Sequence, residues 1–131
     1  EMYGSARVQE MHGNATVKDM CGSATVQKMY DSATVQEMHL NSAVQEMYDS
    51  ATVQEMHHNS AVKGMHDNAT VKEMHDNATV KEMYGSATVQ KMYDSATVQE
   101  MYDNAMARRF ESLHIAKIYV PKGSKIFIDR I

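Results

Sequence analysis

Five histidines lie at multiples of nine residues from one another, a spacing that would bring their imidazoles together in a regularly folded repeat. They are His12, His39, His57, His66 and His75. His39, His57 and His75 are the candidates for a metal site, because imidazole nitrogen is a common ligand of transition metals. Tyrosine takes the same repeat position six times, however. A position that accepts either ring favours stacking of flat rings over metal binding, so we expect no metal and no cofactor.

Carboxylates follow a related spacing and predict a binding surface. Two series of acidic residues recur at every eighteenth residue. The first is Glu37, Glu55 and Glu73, and the second is Asp31, Asp49 and Asp67. Regular rows of negative charge attract a macromolecular partner over a distance. Catalysis has no comparable support, since the sequence offers neither a Ser/His/Asp arrangement at recognisable positions nor a phosphate-binding loop. Active sites usually lie on irregular loops, and a strict repeat leaves none, so we predict that the protein is not an enzyme.

A nine-residue repeat positions all of these side chains. Methionine recurs at every ninth residue from Met2 to Met101, and a valine follows six residues after each one except the last, where Ala107 stands. If methionine is position zero, position one is Tyr, His or, once, Cys21. Position two is mostly Asp or Gly, and position three is Ser or Asn. The remaining positions read Ala, Thr, Val, Gln or Lys, and usually Glu at position eight.

The period of nine excludes a helix, because nine residues make about 2.5 helical turns and would place successive methionines on opposite faces. Ala-Thr-Val-Gln instead predicts a short strand, with alanine and valine inward and threonine and glutamine outward. Asp or Gly followed by Ser or Asn predicts a turn, since these residues bond their own backbone or accept left-handed conformations. The predicted fold is an all-β, parallel β-solenoid over residues 1–105, with a core of Ala, Val and Met.

Two deviant repeats indicate how many repeats form one coil. In Asn41-Ser42-Ala43-Val44 and Asn59-Ser60-Ala61-Val62, serine replaces the inward alanine and alanine replaces the outward threonine. The deviations lie two repeats apart, so a coil of two repeats stacks them directly, whereas a coil of three repeats places them on different faces. We therefore favour a coil of two repeats over a coil of three. The body would then be a rod of about 30 Å, given the strand separation of about 4.8 Å.

Charge is divided unevenly along the chain. The net charge of the chain is -4. Residues 1–105 carry 7 Lys or Arg against 15 Asp or Glu, whereas residues 106–131 carry 6 Lys or Arg against 2 Asp or Glu. The body is therefore acidic and the C-terminal segment is basic. Cys21 is the only cysteine, which excludes an internal disulfide. With no signal peptide and no apolar run long enough to span a bilayer, we expect no membrane association and favour a cytoplasmic location.

The repeat pattern fades after residue 105, and residues 106–131 are predicted to form a C-terminal β cap. By the nine-residue count, Phe110 takes the methionine position. Residues 118–120 and 126–128 read as strands of a hairpin joined by residues 121–124. Large apolar residues of this segment would cover the open end of the solenoid or, alternatively, form a homodimer interface. They are Phe110, Ile115, Ile118, Val120, Phe127 and Ile131.

The period resembles that of the calcium-binding nonapeptides of RTX β-rolls, written G-G-x-G-x-D-x-U-x. This resemblance implies a solenoid fold without the calcium ligands, because the paired glycines are absent and most turns supply one carboxylate or none. Arrays of Met-x-x-Asn-Ala-Thr-Val over residues 2–105 also resemble nonapeptide-repeat proteins of bacteria and their phages. That second resemblance carries no functional residue over to this chain.

The sequence thus predicts a non-enzymatic scaffold that presents a regular acidic and polar surface to a protein partner. Direct nucleic-acid binding is not expected from an acidic body. An alternative function is an inhibitor that mimics nucleic acid, in which the rows of carboxylates contact a DNA-binding or defence protein. A second alternative is a self-assembling fibre subunit, since the first repeat would expose an unpaired strand edge.

Overall fold

The structure is a computed structural model that describes residues 1–111 and 125–130. Within these residues the fold is all-β, with thirteen strands. In chain order they are β1 Arg7–Met11, β2 Thr16–Met20, β3 Thr25–Met29, β4 Thr34–Met38, β5 Ala43–Met47, β6 Thr52–Met56, β7 Ala61–Met65, β8 Thr70–Met74, β9 Thr79–Met83, β10 Thr88–Met92, β11 Thr97–Met101, β12 Met106–Glu111 and β13 Lys125–Arg130.

The strands form two parallel sheets that stack into a β-solenoid. One sheet has the order β1-β3-β5-β7-β9-β11, and the other has the order β13-β12-β10-β8-β6-β4-β2. Each repeat strand pairs with the strand two further along the chain, so that Val26 faces Val44 and Val44 faces Val62. This register confirms the predicted coil of two repeats, and about six such turns make up the body.

Alanine, valine and methionine build the core, as the sequence predicts. Around β4 (Thr34–Met38), Ala33, Val35 and Met38 are fully buried, whereas the threonine and glutamine between them stay partly exposed. The strand bounds differ from the prediction, because the strand begins at threonine and ends at methionine. Alanine stays outside the strand since its N–H closes the turn by donating to the carbonyl of Tyr30. Two outward residues separate valine from methionine, which keeps both of these side chains in the core.

Each turn requires a left-handed residue at position two, which explains the preference for Asp or Gly there. In the turn before β4, the Ala33 N–H donates to the Tyr30 carbonyl over 3.1 Å, and Asp31 between them has φ 57°. Leu40 adopts the same φ of 57° in the following turn. A left-handed conformation costs an L-residue with a large side chain about 1–2 kcal/mol. Leu40 is therefore a strained exception to the repeat.

The last repeat has one residue fewer between its inward positions than the others, which shows that the predicted position of Phe110 is wrong. A count of two repeats from Met92 leads to Phe110, but the strand register places Arg109 opposite Met92. Phe110 instead stacks on Tyr93, with ring centroids 5.5 Å apart. The nine-residue count could not reveal this shift. β12 has one residue fewer than the register of the other strands requires, and nothing in the sequence pattern marks the position of the missing residue.

Arg109 therefore takes a methionine position and is almost fully buried. Its guanidinium donates to the carbonyl of Ala96 over 2.6 Å and to the carbonyl of Asp94. A buried cation is tolerated where its N–H groups meet acceptors. The side chain thus binds the neighbouring turn at the coil where the methionine stack ends.

β13 continues the sheet beyond β12. The two strands pair in parallel, with Ala107 facing Ile126. The strand predicted at residues 126–128 is confirmed, and its partner among the described residues is β12. Residues 118–120, like Ile115 and Ile131, lie outside the described residues, so the predicted hairpin and homodimer interface stay predictions.

Candidate functional site

Two long edges of the solenoid carry the turns. Because the chain reverses direction at every turn, the turns that follow odd-numbered strands share one edge and the turns that follow even-numbered strands share the other. We call the first the tyrosine edge, whose ring positions hold His12, Tyr30, Tyr48, His66, Tyr84 and Tyr102. We call the second the histidine edge, whose ring positions hold Tyr3, Cys21, His39, His57, His75 and Tyr93.

Acidic side chains of the repeats lie in the turns or at position eight, the last outward strand position before a turn, and we count both positions with the edges. All 15 Asp and Glu of residues 1–105 stand at position two, inside a turn, or at position eight, beside a turn. The faces carry positions five and seven, where the charged residues are Arg7, Lys18, Lys63, Lys72 and Lys81. Fifteen acids and two lysines give the edges a net charge of -13, against +5 on the faces.

The structure separates the two predicted series of carboxylates. Glu37 faces Glu55, and Glu55 faces Glu73, so this series forms a continuous row along the histidine edge. The tyrosine edge holds Asp31, Asp49 and Asp67 in its turns. The predicted binding surface is therefore two surfaces at opposite edges, each with its own row of acids.

Rings at position one stack into ladders, as the exchange of His for Tyr predicts. His39 and His57 lie 5.1 Å apart between centroids, and His57 and His75 lie 4.9 Å apart, with interplanar angles of 8° and 7°. On the tyrosine edge, an unbroken ladder runs from His12 to Tyr102. Parallel rings at this spacing point their nitrogens side by side, so the three candidate histidines do not converge on one ion.

Carboxylates at position eight bind the rings of the histidine edge. His39 Nε2 lies 3.0 Å from a Glu37 carboxylate oxygen, and the same contact joins His57 to Glu55 over 3.0 Å. These contacts hold each glutamate beside the ring that follows it in the turn.

Carboxylates of the tyrosine edge contact rings of both kinds, since His12 Nε2 lies 2.9 Å from Glu10 and His66 Nε2 lies 2.7 Å from Glu46. Tyr84 Oη donates to Glu82 over 2.6 Å, and Tyr102 donates to Glu100. The hydrogen bond to Glu82 and the nearby negative charge raise the pKa of Tyr84 to about 12. Contacts between carboxylates and rings are therefore common to both edges.

Aspartates at position two tie successive coils together, a role that the sequence analysis did not predict. The Gly13 N–H donates to the Asp31 carboxylate over 2.9 Å, the Asp31 N–H donates to Asp49 over 3.1 Å, and the Asp49 N–H donates to Asp67 over 3.3 Å. Each carboxylate satisfies an amide left over by a turn. The two-repeat spacing of the aspartates is the signal that would have found this ladder.

One group of metal-ligating atoms comes together on the histidine edge. Asp19, Glu37 and His39 each offer a ligand atom, and these atoms lie within 4.8 Å of one another. Asp19 was not among the site residues predicted from the sequence. Its signal was present, since Asp19 is the one aspartate among the position-eight residues of the repeats.

The protein is thus a β-solenoid of nine-residue repeats with ring ladders at both edges. Comparison with protein-family models, with curated proteins and with solved structures finds no match to this chain. In the part of the chain that the structure describes, no helix is both long enough and apolar enough to cross a membrane.

Proposed function

We propose that the protein is a non-enzymatic scaffold whose acidic edges bind a macromolecular partner with a basic surface. The observation that carries this proposal is the segregation of charge. All 15 acids of residues 1–105 stand at edge positions, while the faces carry only basic charges. Such a distribution attracts a cationic partner to the edges and orients it there.

Rigidity of the edges supports the same function. Rings stack at 4.8–5.1 Å along the tyrosine edge, and hydrogen bonds from Tyr84 and His12 hold neighbouring carboxylates. The carboxylates remain accessible, since the Glu10 side chain is 53% exposed and that of Glu37 is 46% exposed. Charges held in place before binding lose less conformational entropy when the partner arrives.

A labelled oligolysine tests the proposal as a model of a basic partner. Binding is measured by fluorescence anisotropy over a series of salt concentrations, since exposed charges are screened by salt. The first variant carries Glu37→Gln, Glu55→Gln and Glu73→Gln on the histidine edge. If each exposed charge contributes about 0.5 kcal/mol, three neutralised acids weaken binding about tenfold.

The matched control changes three face residues of the same strands, Thr34→Ser, Thr52→Ser and Thr70→Ser, and should leave affinity unchanged. A third variant with Asp31→Asn, Asp49→Asn and Asp67→Asn reports on the tyrosine edge. Binding that is insensitive to salt, or that falls as much in the face control as in the edge variants, would contradict the proposal.

A second candidate function is mimicry of nucleic acid, and the parallel rows of acids favour it. Asp19, Glu37, Glu55 and Glu73 face one another in register and repeat at the strand separation of about 4.8 Å. One strand of DNA carries a charge about every 3.4 Å along its axis, which is a comparable density. The two acidic edges, separated by faces without acids, also parallel the two phosphate backbones of a duplex.

Competition distinguishes this candidate from general binding of cations. A sequence-nonspecific DNA-binding protein is saturated with labelled duplex DNA, and the chain is then added. Mimicry predicts displacement of the DNA by the unmodified chain and weaker displacement by the variant with the three glutamates changed to glutamine. An unaltered DNA complex in the presence of bound chain refutes mimicry and leaves the scaffold function standing.

A further inference from the structure

We propose that Asp19, Glu37 and His39 form a binding site for one divalent transition-metal ion of the zinc type. Asp19 lies near the end of β2, and Glu37 lies opposite it near the end of β4. His39 follows in the next turn, with Nε2 3.0 Å from a Glu37 oxygen. All three side chains are half-buried at the histidine edge, and their ligand atoms lie within 4.8 Å of one another. The site shares Glu37 with the acidic row proposed above, but it does not rest on that function, because zinc binding is measured on the chain alone.

The repeat that contains Asp19 departs from the pattern twice, and both departures concern this site. Position eight elsewhere is Glu, Lys or, once, Gly, and position one elsewhere is a ring, but this part of the chain has Asp19 and Cys21. In the other coils of this edge the carboxylate binds the ring two residues later, as Glu37 binds His39. Asp19 has no such ring. Among the described residues its carboxylate makes no hydrogen bond or ion pair, so it is available to an ion.

Charge balance along the row also favours a bound cation. Asp19, Glu37 and Glu55 occupy successive coils, and like charges at this spacing repel one another. Further along the row, Lys91 compensates part of this negative charge, because its Nζ lies 3.6 Å from a carboxylate oxygen of Glu73. No lysine or arginine of the described residues is paired with Asp19. A dication bound there would compensate the negative charge at this end of the row.

Two carboxylate oxygens and one imidazole nitrogen form a ligand set suited to zinc, and also to manganese or cobalt. Bonds of about 2.0–2.2 Å place ligands of one ion at most about 4.4 Å apart, so the present separations need only small side-chain rotations. Glu37 is 46% exposed and is free to make such a rotation. Three protein ligands leave the remaining coordination positions to water. The stacked His57 and His75 belong to no comparable group within the described residues.

Titration of the full chain with zinc chloride, followed by calorimetry and by competition with a chromophoric chelator, tests the site. We expect one ion per chain. Asp19→Asn, Glu37→Gln and His39→Gln should each weaken zinc binding at least tenfold. Mutation of a residue that only hydrogen-bonds to a metal ligand already lowers metal affinity by about 10- to 100-fold. Asp19→Lys is the sharpest variant, because it reproduces the Lys91–Glu73 pair of the same row and should abolish binding without loss of thermal stability.

His75→Gln is the matched control, since His75 holds the same ladder position two coils away. It should leave zinc affinity within about twofold, and so should Cys21→Ala. An equal loss from His75→Gln means that the ladder binds zinc without a defined site, and an equal loss from Cys21→Ala means that a thiolate is a ligand. Either result, or the absence of zinc binding by the unmodified chain, overturns the proposal.

Discussion

Two buried serines offer a quantitative test of the solenoid core. Ser42 and Ser60 stand in the inward column where neighbouring coils have Ala24 and Ala78. Both serines are fully buried, and neither hydroxyl has a hydrogen-bond partner among the residues that the structure describes. Because alanine already fits this column in other coils, Ser42→Ala and Ser60→Ala remove a polar atom without changing the backbone.

The expected gain follows from the cost of burying an unpaired hydroxyl. A buried donor or acceptor without a partner costs about 1–3 kcal/mol. Loss of one small oxygen atom leaves little cavity to offset that gain, so each substitution should raise the free energy of unfolding by about 1 kcal/mol. Ser42 and Ser60 lie in adjacent coils, so the double variant need not be strictly additive.

Urea denaturation followed by circular dichroism measures the effect. With a urea slope of about 2 kcal/mol per M, each substitution should raise the midpoint by about 0.5 M at an unchanged slope. Ser32→Ala is the control, since Ser32 is exposed in its turn and its hydroxyl is not desolvated. That variant should leave the midpoint where it was.

Destabilisation by either single substitution would refute this reasoning. It would mean that the two hydroxyls bond each other in the folded protein, so that removal of one leaves the other unpaired. A double-mutant cycle would then show two destabilised single variants and a double variant close to the original stability.

Three further predictions concern the turns and the tyrosine edge. Leu40→Gly removes the strain of φ 57° and should stabilise the protein by about 1 kcal/mol in the same urea assay, whereas Leu40→Ala should not. Asp49→Ala removes the acceptor of the Asp31 N–H, and should destabilise the protein by about 1 kcal/mol and speed hydrogen exchange of that amide. Because the pKa of Tyr84 is raised to about 12, its bond to Glu82 stabilises the fold below about pH 10 and is lost as the pH rises through about 12. An ultraviolet titration should show a tyrosine that ionises near pH 12, and Glu82→Gln should lower the pKa of Tyr84; an unchanged curve in that variant would contradict the assignment.

Local features of the fold were predictable because each one depends on a single repeat. The inward valine, the left-handed residue of the turn and the exchange of His for Tyr follow from chemistry within nine residues. Ser42 and Ser60 even indicated the coil length, since a shared deviation is best accommodated between stacked neighbours. The position of Phe110 was not predictable, because a residue omitted from β12 changes the pairing and not the local pattern.

Unlike the coil length, the neighbours of the acidic and metal-ligating side chains were established only by the tertiary structure. The series of Glu37 and the series of Asp31 look alike in sequence, yet the reversal of the chain at each turn sends them to opposite edges. Asp19 and His39 lie more than two repeats apart in the sequence, and only the pairing of β2 with β4 brings their ligand atoms together.

By itself, the sequence determined which side chains face the core, because nine residues contain one complete strand and one complete turn. The stacking of the coils decided which side chains of different repeats lie next to one another. Hydrogen-bonded register sets the neighbours of each exposed group, so that Glu37 lies beside Glu55, which is two repeats away in the sequence. The acidic edges and the Asp19 site are therefore properties of the stacked solenoid rather than of the nonapeptide.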